Sequence, residues 1–282
     1  MYPCSLRILR ALYALEGLNE RDQAARRLAV AGFFFMTRPG ELVRTTKTDK
    51  GRSSPFRLKD IAFGSSDGRL WNVHPTDNTL LNDVSGATQV SLTYTDQKNC
   101  VKGETVSHAP SGDPKLCPVR ALEEQASLLL RKGCDINTPL HTYFNRTGRR
   151  LAVTATHVTL LLRRAAALVK TETGIPPEKI SMRSLRPGGA TALLCSGETP
   201  SNIALVGRWR SEAILRYLRA QVTPTAKLFA QRMVEGGNFT FLHNTTESEE
   251  ALQFPCVPDN LPEELKDTVD LTDDASIVEI EE

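Results

Sequence analysis

The chain has 282 residues, 40% of them hydrophobic and 24% charged, a balance that suits a globular fold with a sizeable core. No stretch approaches about 18 consecutive apolar residues, and the start lacks a leader-like apolar run, so neither a membrane span nor a secretory leader is expected. The formal charge of +2 hides an asymmetry: residues 243–282 hold thirteen acids against Lys266, a charge of −12, which leaves +14 on residues 1–242.

In chain order, Leu6, Leu9 and Leu12 have helical spacing. Asn19 caps a second helix, with Asp22 three positions on. That helix runs into Leu28–Met36, apolar on every side and therefore buried, and Arg38 follows where it stops at Pro39-Gly40. Residues 57–100 read as β. Phe56-Arg57-Leu58 and Ile61-Ala62-Phe63 are short apolar pieces, and Val90–Thr95 alternates with period two as a half-buried strand does. A turn ending near Gly103 leads to a return strand over Glu104–His108, and Ala109–Leu116 is a loop.

Helices resume at Pro118 and stop at Gly133; another runs from about Thr156 to Thr173 and closes at Gly174. The next carries Arg186 and ends at Gly197, and Pro200–Val206 is a short helix closed by Gly207. Ser211 caps a helix holding Tyr217, and the last helix covers Thr225–Glu235. Beyond His243 the chain is acidic and poor in aromatics, the composition of a disordered tail. The expected fold class is mainly α with a small antiparallel β-sheet, in two parts: a body over 1–242 and a tail over 243–282. The six cysteines show no CxxC pair and the five histidines no HxxxH pair, so neither a disulfide framework nor a metal is expected, and no cofactor is.

The residues that carry chemistry are arginines. Pro187 is tolerated only in a first turn, so Arg186 sits at a helix N-terminus, where free backbone N–H groups already favour an anion. A guanidinium there adds bidentate, permanently charged recognition of phosphate oxygens. Arg38 lies 148 positions upstream, so only folding can bring the two together. Arg183 precedes Arg186 by three residues, and Gly207-Arg208-Trp209-Arg210 precedes Tyr217. A body charge of +14 suits a polyanion such as nucleic acid, although a solvated basic surface gives the same count.

In this order the residues resemble the catalytic domain of the tyrosine recombinase (phage-integrase-like) superfamily, of the kind carried by Crypton- or DIRS-type mobile elements. The resemblance covers about residues 1–235. It implies a tyrosine recombinase catalytic-domain architecture, double-stranded DNA as partner, self-association on DNA, a nuclear location, and no metal or ATP. It also implies roles: Arg38 and Arg186 hold the nonbridging oxygens of a scissile phosphate, Tyr217 attacks phosphorus, and Lys98 (or Lys102, should the hairpin register differ) protonates the leaving oxygen. Arg183 stands where the family has His or Lys, and donates to phosphate without accepting a proton. Arg208 stands where the family has His or Trp, with Trp209 one residue later. The family's usual N-terminal clamp domain has no counterpart in this sequence, which leaves truncation of an element or host domestication as readings.

Other readings of the same residues stay open. Tyr217, flanked by Ile214, Leu215 and Leu218, also fits a core tyrosine, and Lys98 a solvated hairpin lysine. His108 reads as a surface histidine near the Lys98 hairpin. The alternative function is a catalytically impaired, domesticated DNA-binding or SUMO-recruited protein, and a topoisomerase-like nicking-closing activity is a third. In the tail, 269–274 and 277–282 pair aliphatics with trailing acids and resemble SUMO-interacting motifs, which add a strand to a partner sheet. A solvated acidic tail accounts for them equally.

Overall fold

The computed structural model describes residues 2–44, 54–65, 70–72, 86–95, 103–209 and 229–237. Lys98, Lys102, Tyr217 and the whole acidic tail with its two SUMO-like motifs lie outside the described residues. The fold is mixed α and β, about half of it helical, with a small antiparallel sheet.

Helix α1 (Leu6–Ala11) starts where the Ser5 hydroxyl accepts the Arg7 N–H. Helix α2 (Glu20–Phe34) starts at Asn19, whose side chain accepts the Asp22 N–H as its sequence position suggests. Residues Leu28–Ala31 and Phe33–Met36 of α2 and its exit are fully buried. Burial of each such phenylalanine contributes roughly 1.5–3 kcal/mol. The helix is enclosed by α4 (Pro118–Arg131), α5 (Ala155–Leu168), α7 (Leu185–Cys195) and β5 (Thr142–Phe144). Its end is therefore fixed by packing on all sides.

The main sheet has the order β2-β1-β3-β4, all antiparallel, with β1 Ile61–Gly64, β2 Leu70–Asn72, β3 Gln89–Tyr94 and β4 Glu104–His108. Val90 pairs with Phe63 on one side and His108 on the other. Tyr94, the last residue of β3, pairs with Glu104 and has its ring fully inside. Phe56–Leu58 is not a strand: Arg57 makes an isolated bridge to Pro139, and Leu58–Asp60 is a 3-10 turn capped by Asp60 on the Arg57 N–H. A second hairpin, β5 with β6 (Arg150–Ala152), was not expected from the sequence.

The helix expected over 156–173 is two pieces, α5 and the short α6 (Lys170–Thr173), broken at Val169 and closed by left-handed Gly174. Helix α8 (Pro200–Gly207) follows α7, and α9 covers 229–236 and ends at the Gly236-Gly237 pair. The N-terminal segment ties the last elements together: Cys4 N–H donates to the Ser184 carbonyl at 2.8 Å and Leu6 N–H to the Gly237 carbonyl at 2.8 Å.

Candidate functional site

Two helix ends build the site. Helix α2 closes in a Schellman turn, with Met36 N–H on the Phe33 carbonyl (3.3 Å) and Thr37 N–H on the Gly32 carbonyl (3.1 Å). The left-handed position is Met36, at φ 45°. Helix α8 closes the same way, with Arg208 N–H on Leu205 (3.2 Å), Trp209 N–H on Ala204 (2.9 Å) and Arg208 left-handed at φ 60°. Met36 and Arg208 are the only non-glycine residues with positive φ among the described residues. Such a conformation costs about 1–2 kcal/mol for an L-residue and persists where surroundings over-determine it.

Those two turns meet. Arg208 Nη1 donates to the Phe35 carbonyl (3.0 Å), and Nη2 to the Met36 carbonyl (3.3 Å) and to Glu41 (3.0 Å). Its guanidinium carbon lies 3.6 Å from the Tyr94 ring centroid, and the Tyr94 hydroxyl donates to the same Phe35 carbonyl at 3.4 Å. The cation thus caps carbonyls that α2 leaves unpaired, at the negative end of its dipole. Burial pushes the Tyr94 phenol pKa up, against the opposing pull of Arg208.

Arg38 is the N-cap of α3 (Pro39–Leu42). Its backbone N–H donates to Glu41 Oε2 at 2.7 Å and its Nη1 to Oε1 at 3.0 Å. Glu41, 1% exposed, therefore serves Arg38 and Arg208 at once. Arg186, in the first turn of α7, is 9% exposed. Its Nη2 donates to the Gly207 carbonyl at 2.7 Å, while Nη1 is buried with no hydrogen-bond partner among the described residues. Burial first, then the Arg38 and Arg208 charges, pull its pKa down to about 9. Trp209, 37% exposed, covers it with the ring centroid 4.6 Å from the guanidinium. Gly207 makes this possible, because a Cβ there would overlap the Trp209 ring.

Folding therefore brings Arg38, Arg186 and Arg208 to one place from positions far apart, around a single carboxylate. The described site carries two more positive charges than negative ones, and one guanidinium N–H group is aimed at no partner. Guanidinium groups in excess over carboxylates suit an anion with at least two oxygens. Arg183 is exposed on the 3-10 turn Met182–Ser184 that leads into α7. The Arg208 side chain is fully buried, and two of its nitrogens are committed to Glu41 and backbone carbonyls, so it acts as a strut of the site. Trp209 is the neighbour that faces Arg186.

Sequence reasoning missed Glu41 and Tyr94. The Arg38-Pro39-Gly40-Glu41 spacing, with an acid at the third position of a helical turn, was the available signal for the first. Nothing marked Tyr94 beyond its place at a strand end. His108 is a correction: it is fully buried, packed at 4.6 Å on Phe35, and is not a surface histidine. Compared with known proteins, the chain matches no family model, no curated protein and no solved structure.

Proposed function

We propose that this protein binds duplex DNA and cleaves and rejoins its strands through a 3′-phosphotyrosine link, on a tyrosine recombinase-like catalytic domain. The observation that carries the reading is the convergence of Arg38 and Arg186 on a site with excess positive charge and an unpartnered, buried Arg186 Nη1. In this mechanism Arg38 and Arg186 hold the nonbridging oxygens and stabilise the charge that grows in the pentavalent transition state. Arg208 keeps Arg38 in place through Glu41. Tyr217 Oη attacks phosphorus and loses its proton to solvent; the bond from phosphorus to O5′ breaks, and Lys98 Nζ gives O5′ its proton. The reverse steps reseal the strand, since the phosphotyrosine conserves the ester.

A covalent-trapping assay on nicked duplex DNA tests this. Wild type yields a protein–DNA adduct that EDTA does not suppress. Tyr217→Phe yields none yet binds DNA as wild type does, and Arg186→Ala loses both adduct and affinity. An adduct that survives Tyr217→Phe sinks the assignment.

One observation favours a binding-only reading: Arg208 occupies the position of a phosphate donor without being free to donate. DNA binding that depends on Arg186, with no adduct in the wild-type protein, is its signature.

A further inference from the structure

The hairpin β5–β6 plays no part in the phosphate site, yet its tip is densely basic. Arg146, Arg149 and Arg150 fall within five residues, and all three are exposed. Elsewhere on the body, Arg7, Arg10, Arg21, Arg27, Arg164 and Arg232 each face a carboxylate. The three at the tip pair with no acid among the described residues. The turn that presents them is built to stay in one shape. Asn145 Oδ1 accepts the Thr147 N–H (3.1 Å), the Thr147 hydroxyl (2.8 Å) and the Arg149 N–H (2.8 Å). Asn145 N–H and the Arg149 carbonyl close the ladder at 3.1 Å, and Gly148 takes the left-handed position at φ 77°.

The basic surface continues onto the end of α4. Arg131 and Lys132 are exposed there, and Lys132 Nζ lies 5.9 Å from the Phe144 ring of the hairpin. Asp135 is the nearby acid: both it and Arg150 act on the Cys134 thiol, without pairing with each other. The Asp135 carboxylate accepts the Asn137 N–H at 2.7 Å and pairs with none of the hairpin arginines among the described residues.

We propose that this hairpin tip is a second nucleic-acid contact, three arginines on a rigid turn that grip the phosphate backbone of duplex DNA away from the cleavage site. The inference rests on the DNA-binding part of the proposed function. A two-stranded ribbon fits the major groove, and the planar guanidinium fork of arginine loses less entropy per phosphate hydrogen bond than an ammonium does. The chemistry of the tip selects among polyanions. It shows no exposed aromatic ring: Tyr143 and Phe144 are half-buried at its base, so the stacking platform that single strands need is absent from the described tip. It shows no exposed aliphatic either, which a lipid interface would need.

The experiment compares full-length wild type with the triple variant Arg146→Ala, Arg149→Ala, Arg150→Ala. Affinity for a labelled duplex is measured over a several-fold range of KCl. Each lost phosphate contact removes about 0.9 from the slope of log K against log salt, so the triple variant should be shallower by about 2–3. The corresponding triple lysine variant keeps most of the slope. The thermal midpoint does not move, because all three side chains are exposed. An unchanged slope in the triple alanine variant, while Arg186→Ala still weakens binding, overturns the hairpin contact and leaves the phosphate site standing. Wild-type protein with no salt-dependent duplex binding overturns both. Loss of affinity for anionic vesicles but not for duplex shows that the tip serves a different surface, and also overturns it.

Discussion

Glu41 is one carboxylate between two guanidinium groups, nearly closed off from water, with Arg186 and its charge nearby. Removing a single partner from a buried ion pair leaves an uncompensated charge and costs about 3–5 kcal/mol, more than the pair itself contributes. Glu41→Gln should therefore lower unfolding free energy by about that amount in urea. Adding Arg38→Met to Glu41→Gln should recover part of the loss, because the second change removes a charge left without its carboxylate while Arg208 still caps the Phe35 and Met36 carbonyls. A loss below about 1 kcal/mol for Glu41→Gln alone would show that the site tolerates its excess charge without the carboxylate. The same contacts leave Arg208 little to offer a further partner. Its role is set by what it already holds: Glu41, the carbonyls of Phe35 and Met36, and the Tyr94 ring.

At the scale of elements, α7 carries Arg186 to the site by lying closer to its neighbours than a side chain would permit. A Cβ on Gly189 would overlap the Phe33 carbonyl and press on Met36 and Met233; one on Gly188 would overlap the Cys4 backbone. Gly189→Ala should push α7 off the end of α2, destabilise the fold by about 1–3 kcal/mol and weaken Arg186-dependent DNA binding in parallel. Calorimetry with a duplex-binding titration checks this, and a variant with wild-type values for both would show that α7 has slack. These contacts were not legible in the sequence, which showed only a Gly-Gly pair inside a helix. What was legible were elements whose local signals agree with their surroundings: α2 with its Asn19 cap and its apolar second half, the alternating β3, the Pro118 start of α4 and the Gly174 stop. Elements fixed by distant partners were missed. Phe56–Leu58 has strand-like composition, but its backbone bonds go to the Glu41 carbonyl and to the 138–140 loop rather than to a strand. The three-residue strands β5 and β6 are too short to leave a period. The turns at Met36 and Arg208 carry no glycine in the left-handed position, so the stops read at Pro39-Gly40 and Gly207 marked the ends without revealing the turns that build the site.

The whole molecule responds to acid through histidines that folding places out of water's reach. His108 is fully buried against Phe35 and Phe34, and neither ring nitrogen makes a hydrogen bond of good geometry. Burial pulls its pKa down to about 4, with the Phe34 backbone opposing weakly; burial and Arg44 bring His141 to about 4 as well. In the unfolded chain both return to an ordinary value near about 6.5. Between about 4 and 6.5 the unfolded state therefore binds protons that the folded state refuses, so stability is complete above that window and falls as pH drops through it. Each histidine contributes a slope of up to about 1.4 kcal/mol per pH unit inside the window. Asp113, held below the usual carboxylate range by hydrogen bonds from Leu116 and Lys115 against the opposing effect of burial, adds its own loss at more acid pH. The histidine share is separable with His108→Leu, which keeps an apolar side chain between Phe34 and Phe35. Urea unfolding of wild type should give the same stability at pH 7.5 and 7, then decline below about 6.5. The His108→Leu variant should decline less steeply over the same range. Parallel curves for the two proteins would mean that the folded state takes up the His108 proton at no cost, and the buried, uncharged histidine would have to be abandoned.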